Sequence, residues 1–177
     1  RLFADSESAN FDAVLSIEDV APVFRRDELG TDIFVLGFEK ESDWKEQSAI
    51  SVIEYFFYSI FKGNLEVEVV EGDEVISITQ DNLGDMIAYY KDYCEEHMKN
   101  DVEFQFTAPS YWKLLCSSHK AIKQPFIYKG KNMGEYELYL LTSDEVTEKK
   151  VLEMRQAGMR IREDSSFRIP MNFTGIF

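Results

Sequence analysis

The residue with the clearest chemical potential is an arginine near the C-terminal end of the chain. Arg155 lies within residues 154–161, whose sequence is MRQAGMRI, between apolar residues of a predicted strand. Burying a cation without a partner is costly, because the charge loses its hydration. We therefore expect Arg155 either to form a salt bridge within the chain or to bind an anion.

The two cysteines and two histidines form two C-x-x-H pairs, Cys94 with His97 and Cys116 with His119. Four such ligands would suit a tetrahedral zinc ion, and residues three apart share one face of a helix. However, Cys94 falls on a predicted apolar stripe, where a buried structural thiol is the ordinary case. A chain of this size also needs no metal to hold its core. Our primary prediction is no metal site, and a zinc-stabilised structural module is an alternative.

The common catalytic motifs are missing from the sequence. It contains no G-x-S-x-G nucleophile, no Walker loop and no G-x-G-x-x-G. With 33 acidic residues, carboxylates close in sequence carry no information about a site. We predict no catalytic residue and no enzymatic activity for the chain itself.

The composition is that of an acidic globular chain. Apolar content of 45% and aromatic content of 14% exclude a disordered chain, and no apolar run approaches the ~20 residues of a membrane helix. The net charge of -14 argues against direct nucleic-acid binding. The stretch 105–134 is the exception, with five lysines and no acid. It predicts either a solvated basic loop or a patch that docks an acidic neighbour.

Two further features bear on the origin of the chain. Two cysteines do not make a disulfide framework at this length, so we expect a reducing, cytoplasmic setting. The sequence begins at Arg1 without an initiator Met and stops at Phe177 inside an apolar segment. We interpret it as an excised piece of a longer protein.

Periodicity predicts the elements that position these residues. Ser42 or Asp43 can cap a helix that ends at Gly63, and Asp43 with Glu46 fits a capping box. A hairpin follows over residues 65–78, and a second amphipathic helix begins at Asp81. We also predict a short helix at Pro109–Leu115 and extended segments at Phe11–Ile17, Thr31–Phe38, Val102–Phe106, Tyr136–Leu141, Lys149–Met154, Met159–Arg162 and Phe173–Phe177.

Helices and hairpins therefore follow one another without strict β-α-β alternation. This order predicts an α+β fold, with a mixed or antiparallel sheet packed against two long amphipathic helices.

Two stretches carry a resemblance to a known superfamily. The sequence GTDIFV at residues 30–35 resembles the glycine–threonine box near the end of the GHKL ATP-binding core, found in gyrase B, MutL, heat-shock chaperone ATPases and histidine kinases. The order of later features, closing on residues 154–159 and 173–177, is similar to bacterial GHKL-type ATP-binding proteins. The likeness extends from about Phe24 to the C-terminus and matches the segment after their ATPase core.

This resemblance implies a division into residues 1–38, the tail of an upstream ATPase-like core, and residues 39–177, a transducer-like second domain. It makes Gly30 and Thr31 candidate cofactor-binding residues. The helix with a catalytic acid and a Mg-binding Asn, and the D-x-G-x-G loop, are missing here. The chain alone would thus hold no cofactor, whereas its parent would bind ATP and Mg. The expected partner is the upstream ATPase domain, a homodimer is compatible, and no membrane contact is expected.

In dimeric GHKL proteins the second domain commonly places one basic residue against the γ-phosphate. We choose Arg155 as the candidate phosphate sensor for its chemistry. Its planar guanidinium can donate two hydrogen bonds to a phosphate, and Gly158 permits close approach of the backbone. Arg155 would then help a non-catalytic domain couple nucleotide state to an output. The alternative for the residue is a salt bridge, and the alternative for the chain is an acidic protein–protein interaction domain without ATP linkage.

Overall fold

The computed structural model describes residues 18, 22–25, 29–35, 37–39, 41–98, 105–117, 121–142 and 146–177. The chain divides into two units, Arg1–Lys40 and Glu41–Phe177. Among the described residues there are three α-helices, a two-stranded sheet and a five-stranded sheet. The predicted α+β class is therefore confirmed. The assignment of residues 1–38 to an ATPase-like core stays a prediction.

The first unit contains little regular structure in its described residues. Pro22–Phe24 form a single 3₁₀ turn, and the Phe24 ring meets the Phe34 ring edge-on at 4.7 Å. The strand predicted over Thr31–Phe38 is wrong, because residues 31–35, 37 and 38 are not in a strand. A strand requires a neighbour for its backbone groups, and no described residue of this unit supplies one. The strand predicted at Phe11–Ile17 lies outside the described residues.

The central helix of the second unit is α1, Trp44–Phe61. Its buried face includes Ile50, Ile53, Phe57 and Ile60, as the helical spacing predicts. Gly63 ends the helix with a φ of +69°, and its N–H donates to the Ile60 carbonyl at 2.9 Å. This is the left-handed cap that glycine favours.

The start of α1 differs from the prediction in one detail. Asp43 is the N-cap, but its side chain makes no capping hydrogen bond to the backbone. The carboxylate instead accepts a hydrogen bond from the Gln47 side-chain amide at 3.0 Å. The capping box predicted between Asp43 and Glu46 is therefore wrong, because the Asp43 side chain is already engaged one turn along the helix.

A hairpin and a second helix follow α1, as predicted. Strands β1, Val67–Glu71, and β2, Glu74–Ile78, pair antiparallel across a turn at Gly72. Asn82 then joins β2 to helix α2, Leu83–His97, because its side chain donates to the Ser77 carbonyl and accepts from the Thr79 N–H, both at 2.8 Å. Buried Leu83, Ile87 and Tyr90 lie on the predicted stripe of α2.

The third helix and the larger sheet complete the core. Helix α3 spans Ala108–Cys116, which confirms the predicted short helix. Strands β3 (Ile122–Tyr128), β4 (Lys131–Leu141), β5 (Lys149–Met154), β6 (Arg160–Asp164) and β7 (Phe173–Ile176) form the sheet in the order β3-β4-β7-β5-β6. Neighbours are antiparallel except β5 and β7, which are parallel. The sheet is thus mixed, and Leu152 and Ile176 join the helical core.

The basic stretch is not the loop that one interpretation expected. Lys123 lies in β3 and Lys131 in β4, with Lys129 and Gly130 forming the turn between them. Both turn residues have positive φ, +49° and +75°, which is the primed turn geometry that suits a hairpin. Lys120 and residues 102–104 lie outside the described residues. Residues 105 and 106 are described and are not in a strand, so the strand predicted over Val102–Phe106 is wrong at that end.

The turn between β5 and β6 packs closely against α1. Gly158 has a φ of +78°, and a Cβ built on it would lie 2.9 Å from the Cα and N of Ser59. Contacts that short do not occur in packed proteins, so the turn can sit against α1 only because residue 158 has no side chain.

We predict that Gly158→Ala lowers the free energy of unfolding by about 2 kcal/mol or more, since it adds a backbone clash to the strain of a positive φ. The matched control is Gly130→Ala, whose φ is +75° but whose added Cβ meets nothing within 4 Å. It should cost about 1 kcal/mol. Urea unfolding of both variants measures the difference, and equal losses would contradict the packing argument.

Candidate binding cleft

A cleft of about 760 Å³ opens on the second unit. One wall is the C-terminal end of α1, with Tyr58 and Lys62, and another is β4 over residues 133–137. The turn that begins at Met154, together with Phe126 and Phe177, encloses the remaining side.

A single carboxylate organises the polar wall of the cleft. One oxygen of Glu137 accepts hydrogen bonds from the Tyr58 hydroxyl at 3.0 Å, from Lys62 Nζ at 3.0 Å and from the Tyr139 hydroxyl at 3.1 Å. The other oxygen pairs with Lys123 Nζ at 2.6 Å. Glu137 therefore links α1 to the β3–β4 hairpin through four side chains.

These contacts fix the charge states of the wall. The hydrogen bond from Lys123, with those from Lys62 and Tyr58, lowers the pKa of Glu137 to about 2, although burial opposes the change. Burial, aided by the hydrogen bond with Tyr139, raises the pKa of Tyr58 above its ordinary value. Glu137 is thus an anion and Tyr58 a neutral phenol near neutral pH. Such groups suit binding and orientation better than proton transfer, which works best with a pKa near the working pH.

The opposite side of the cleft is apolar. The rings of Tyr136 and Phe177 lie 5.3 Å apart at an angle of 49°. Phe126 and Met133 are 50% and 61% exposed, although both are large apolar side chains. The cleft therefore offers an apolar surface beside a charged wall, a common composition for a ligand site.

Arg155 lies at this cleft, directly after the last residue of β5. Its N–H donates to the Met159 carbonyl at 2.8 Å, and its carbonyl accepts from the Gly158 N–H at 2.7 Å, so the turn is closed at both ends. The side chain is exposed and forms no ion pair with any described residue. Of the outcomes expected for Arg155, the salt bridge with a described residue is not formed. Its placement inside a strand was also wrong.

The arginine of this stretch that forms a salt bridge is the half-buried Arg160, five residues further on. It pairs with Glu54, which is 2% exposed, and also donates to the Thr107 hydroxyl at 2.8 Å. The Glu54 carboxylate in turn accepts the N–H groups of Thr107 at 2.8 Å and Ala108 at 2.9 Å. A half-buried cation does have a partner here, as expected, but the residue is Arg160. The missed signal was Glu54, a carboxylate between Ile50 and Phe57 on the apolar face of α1.

The candidate zinc ligands have other contacts in the described residues. The Cys94 thiol lies 3.8 Å from the Met98 sulfur, and burial raises its pKa. The His97 ring stacks on Tyr93 at 4.4 Å, with Nδ1 3.1 Å from the Tyr93 carbonyl. Cys116 is exposed, and His119 lies outside the described residues. No group of three or more metal-ligating side chains occurs in the described part of the chain.

The other candidate residues lie in the first unit. Gly30 and Thr31 are both exposed, and no strand follows them within residues 31–35. All residues that line the cleft belong to the second unit. The structure therefore places Arg155 in a cleft and leaves the nucleotide contact of Gly30 and Thr31 a prediction.

Comparison of the chain with known protein families, with curated proteins and with solved structures returned no match. None of the described helices has the length and apolar character needed to cross a membrane.

The lowered pKa of Glu137 makes stability depend on pH. The ionised Glu137 carboxylate contributes fully to the free energy of unfolding above its unfolded pKa, near 4.5. This contribution is lost as pH falls toward about 2. We predict that Glu137→Gln lowers the free energy of unfolding by about 1 to 2 kcal/mol at pH 7 and that this deficit shrinks steadily below pH 4.5.

Urea unfolding across this pH range measures the effect. Glu135→Gln is the control, because Glu135 lies two residues away on the same strand and is exposed. A deficit for Glu137→Gln that stays constant with pH would contradict the assigned ionisation.

Proposed function

We propose that residues 41–177 form a non-catalytic, transducer-like domain of a larger GHKL-type ATP-binding protein. In this role the domain couples the nucleotide state of a neighbouring ATPase domain to an output. The parent would bind ATP and Mg, and this domain would contribute a sensor residue, Arg155. The proposal rests on the sequence resemblance together with the position of that arginine.

The observation that carries the proposal is the presentation of Arg155. It combines an exposed guanidinium, no ion-pair partner among the described residues, and a backbone held by two hydrogen bonds of 2.8 and 2.7 Å. The guanidinium is therefore available to an anion that enters the cleft. A guanidinium can bind two phosphate oxygens at once, which gives both strength and direction.

The geometry around Arg155 supports sensing in particular. A sensor must respond to the presence of one phosphate, so its position should be fixed before the ligand arrives. The turn meets this need, because Gly158 packs on Ser59 and Arg160 pairs with Glu54, both on α1. The guanidinium extends from a rigid base, and only its side-chain torsions need to be ordered on binding.

The proposal predicts a selective loss of ATP affinity in the full-length parent protein. Arg155→Ala should weaken ATP binding about tenfold and leave ADP binding unchanged, since ADP lacks the γ-phosphate that the guanidinium would contact. Arg155→Lys should retain part of the ATP affinity, because lysine keeps the positive charge but cannot donate two parallel hydrogen bonds to one phosphate. Calorimetric titration of each variant with both nucleotides provides the measurement.

Arg168→Ala is the matched control, because Arg168 is another exposed arginine of the same unit and does not line the cleft. It should leave both affinities unchanged. Unchanged ATP affinity and turnover in Arg155→Ala would contradict the sensor role, and equal losses for ATP and ADP would show a contact to a phosphate that both nucleotides share.

A further inference from the structure

We propose that the β3–β4 hairpin is a docking arm for a short acidic protein segment that carries apolar side chains between its carboxylates. We define the docking arm as residues 122–134. Phe126 and Met133 of the arm also line the cleft at which Arg155 lies, but the inference does not depend on ATP binding by a parent protein.

The docking arm exposes an unusual amount of apolar surface. Phe126, Ile127 and Tyr128 are 50%, 56% and 54% exposed, and Met133 on the facing strand is 61% exposed. Successive residues of a strand face opposite sides, so both faces of this hairpin present large apolar side chains. Single exposed apolar residues are normal on a protein surface, but several within one hairpin favour an interaction site. All seven residues of β3 are exposed, so neither face of this strand contributes to the core.

The same arm is basic and contains no acidic residue. Lys123, Lys129 and Lys131 lie in it, and no acidic residue occurs between positions 105 and 134, although the whole chain has a net charge of -14. Glu137 neutralises Lys123, whereas Lys129 and Lys131 form no ion pair with a described residue. Lys129 Nζ lies 5.3 Å from the centre of the Tyr128 ring, so charge and aromatic surface are adjacent at the tip.

The arm holds this surface in a defined shape but resists extension of the sheet. The turn at Lys129 and Gly130 is tight, and Glu137 links the base of the arm to α1. β3 is an edge strand, yet Pro125 lacks an N–H and the pairing with β4 shifts register between Pro125 and Ile127. Both features discourage an added strand. The partner should therefore contact side chains of the arm.

The charge distribution selects the class of partner. Nucleic acid and anionic membranes present dense negative charge over an area larger than one hairpin, so they would also face the carboxylates of a chain with 33 acidic residues. A short protein segment can remain on the arm and avoid that repulsion. The exposed apolar residues between the lysines require apolar side chains in the partner, which a phosphate backbone does not offer.

The test uses the full 177-residue chain and a fluorescent synthetic peptide in which Glu alternates with Leu. Fluorescence anisotropy should show saturable binding that weakens as salt is added. Lys129→Glu with Lys131→Glu should weaken binding about tenfold or more, because two attractive contacts become repulsive. The control variant, Lys91→Glu with Arg168→Glu, has the same net charge but is changed at exposed sites elsewhere. It should bind the peptide like the unsubstituted 177-residue chain.

A second pair of variants isolates the apolar contribution. Ile127→Ser with Tyr128→Ser should weaken peptide binding severalfold without changing its salt dependence, since no charge is altered. The control is Val70→Ser with Val75→Ser, an exposed cross-strand pair on the other hairpin, β1–β2. Circular dichroism confirms that each variant is folded before binding is measured.

Several outcomes would overturn the proposal. One is the absence of saturable peptide binding, and another is an equal loss in the Lys91 and Arg168 control. A third is binding of single-stranded oligonucleotides or of phosphatidylserine vesicles through Lys129 and Lys131 without peptide binding. The sensor role is measured by nucleotide affinity and the docking arm by peptide binding, so failure of the docking arm leaves the sensor role untouched.

Discussion

The ion pair between buried Glu54 and half-buried Arg160 is the interaction on which the rest of the second unit depends. It joins three elements that are far apart in sequence, because Glu54 belongs to α1, Arg160 to β6, and the same carboxylate caps the start of α3. Removing one partner of a buried pair commonly costs about 3–5 kcal/mol, since it leaves the other charge without compensation. That is a large part of the roughly 5–15 kcal/mol that stabilises an ordinary domain.

The ion pair also determines where the candidate cleft forms. Arg160 attaches the end of the β5–β6 turn to α1, and Gly158 lets the same turn approach Ser59 closely. Arg155 begins that turn. Tyr58 and Lys62 lie at the C-terminal end of α1 and form another wall of the cleft. The relative positions of these cleft residues thus follow from two contacts outside the cleft. A binding site that is arranged before its ligand arrives loses less entropy on binding.

Local patterns in the sequence predicted much of this fold. The period of α1 and α2, the glycine at the end of α1 and the β1–β2 hairpin depend on neighbouring residues, so they could be recognised from short stretches. Prediction failed where a distant partner decides the outcome. Residues 31–35 are rich in β-forming side chains but have no neighbouring strand in the described residues, whereas the basic stretch pairs as β3 with β4.

The arginines illustrate the same limit for the candidate site. The sequence showed that residues 154–161 contain a cation in an apolar setting, but it could not show which arginine is paired. Arg160 is half-buried and paired because Glu54 reaches it from α1, more than a hundred positions earlier, whereas Arg155 is exposed and follows the last residue of β5. The glutamate on the apolar face of α1 was visible in the sequence, and its significance depended on a partner that only the tertiary structure identifies.

A double-mutant cycle on Glu54→Gln and Arg160→Met tests the central claim most directly. Urea unfolding of the unsubstituted chain, both single variants and the double variant gives the coupling free energy between the two side chains. We predict about 2 kcal/mol or more, because each single change leaves a buried group without its partner. The reference is the exposed pair of Arg162 and Glu153, which lie 2.9 Å apart on the β5–β6 hairpin. The coupling free energy of this pair should stay below about 1 kcal/mol. Equal coupling energies for the two pairs would contradict the account.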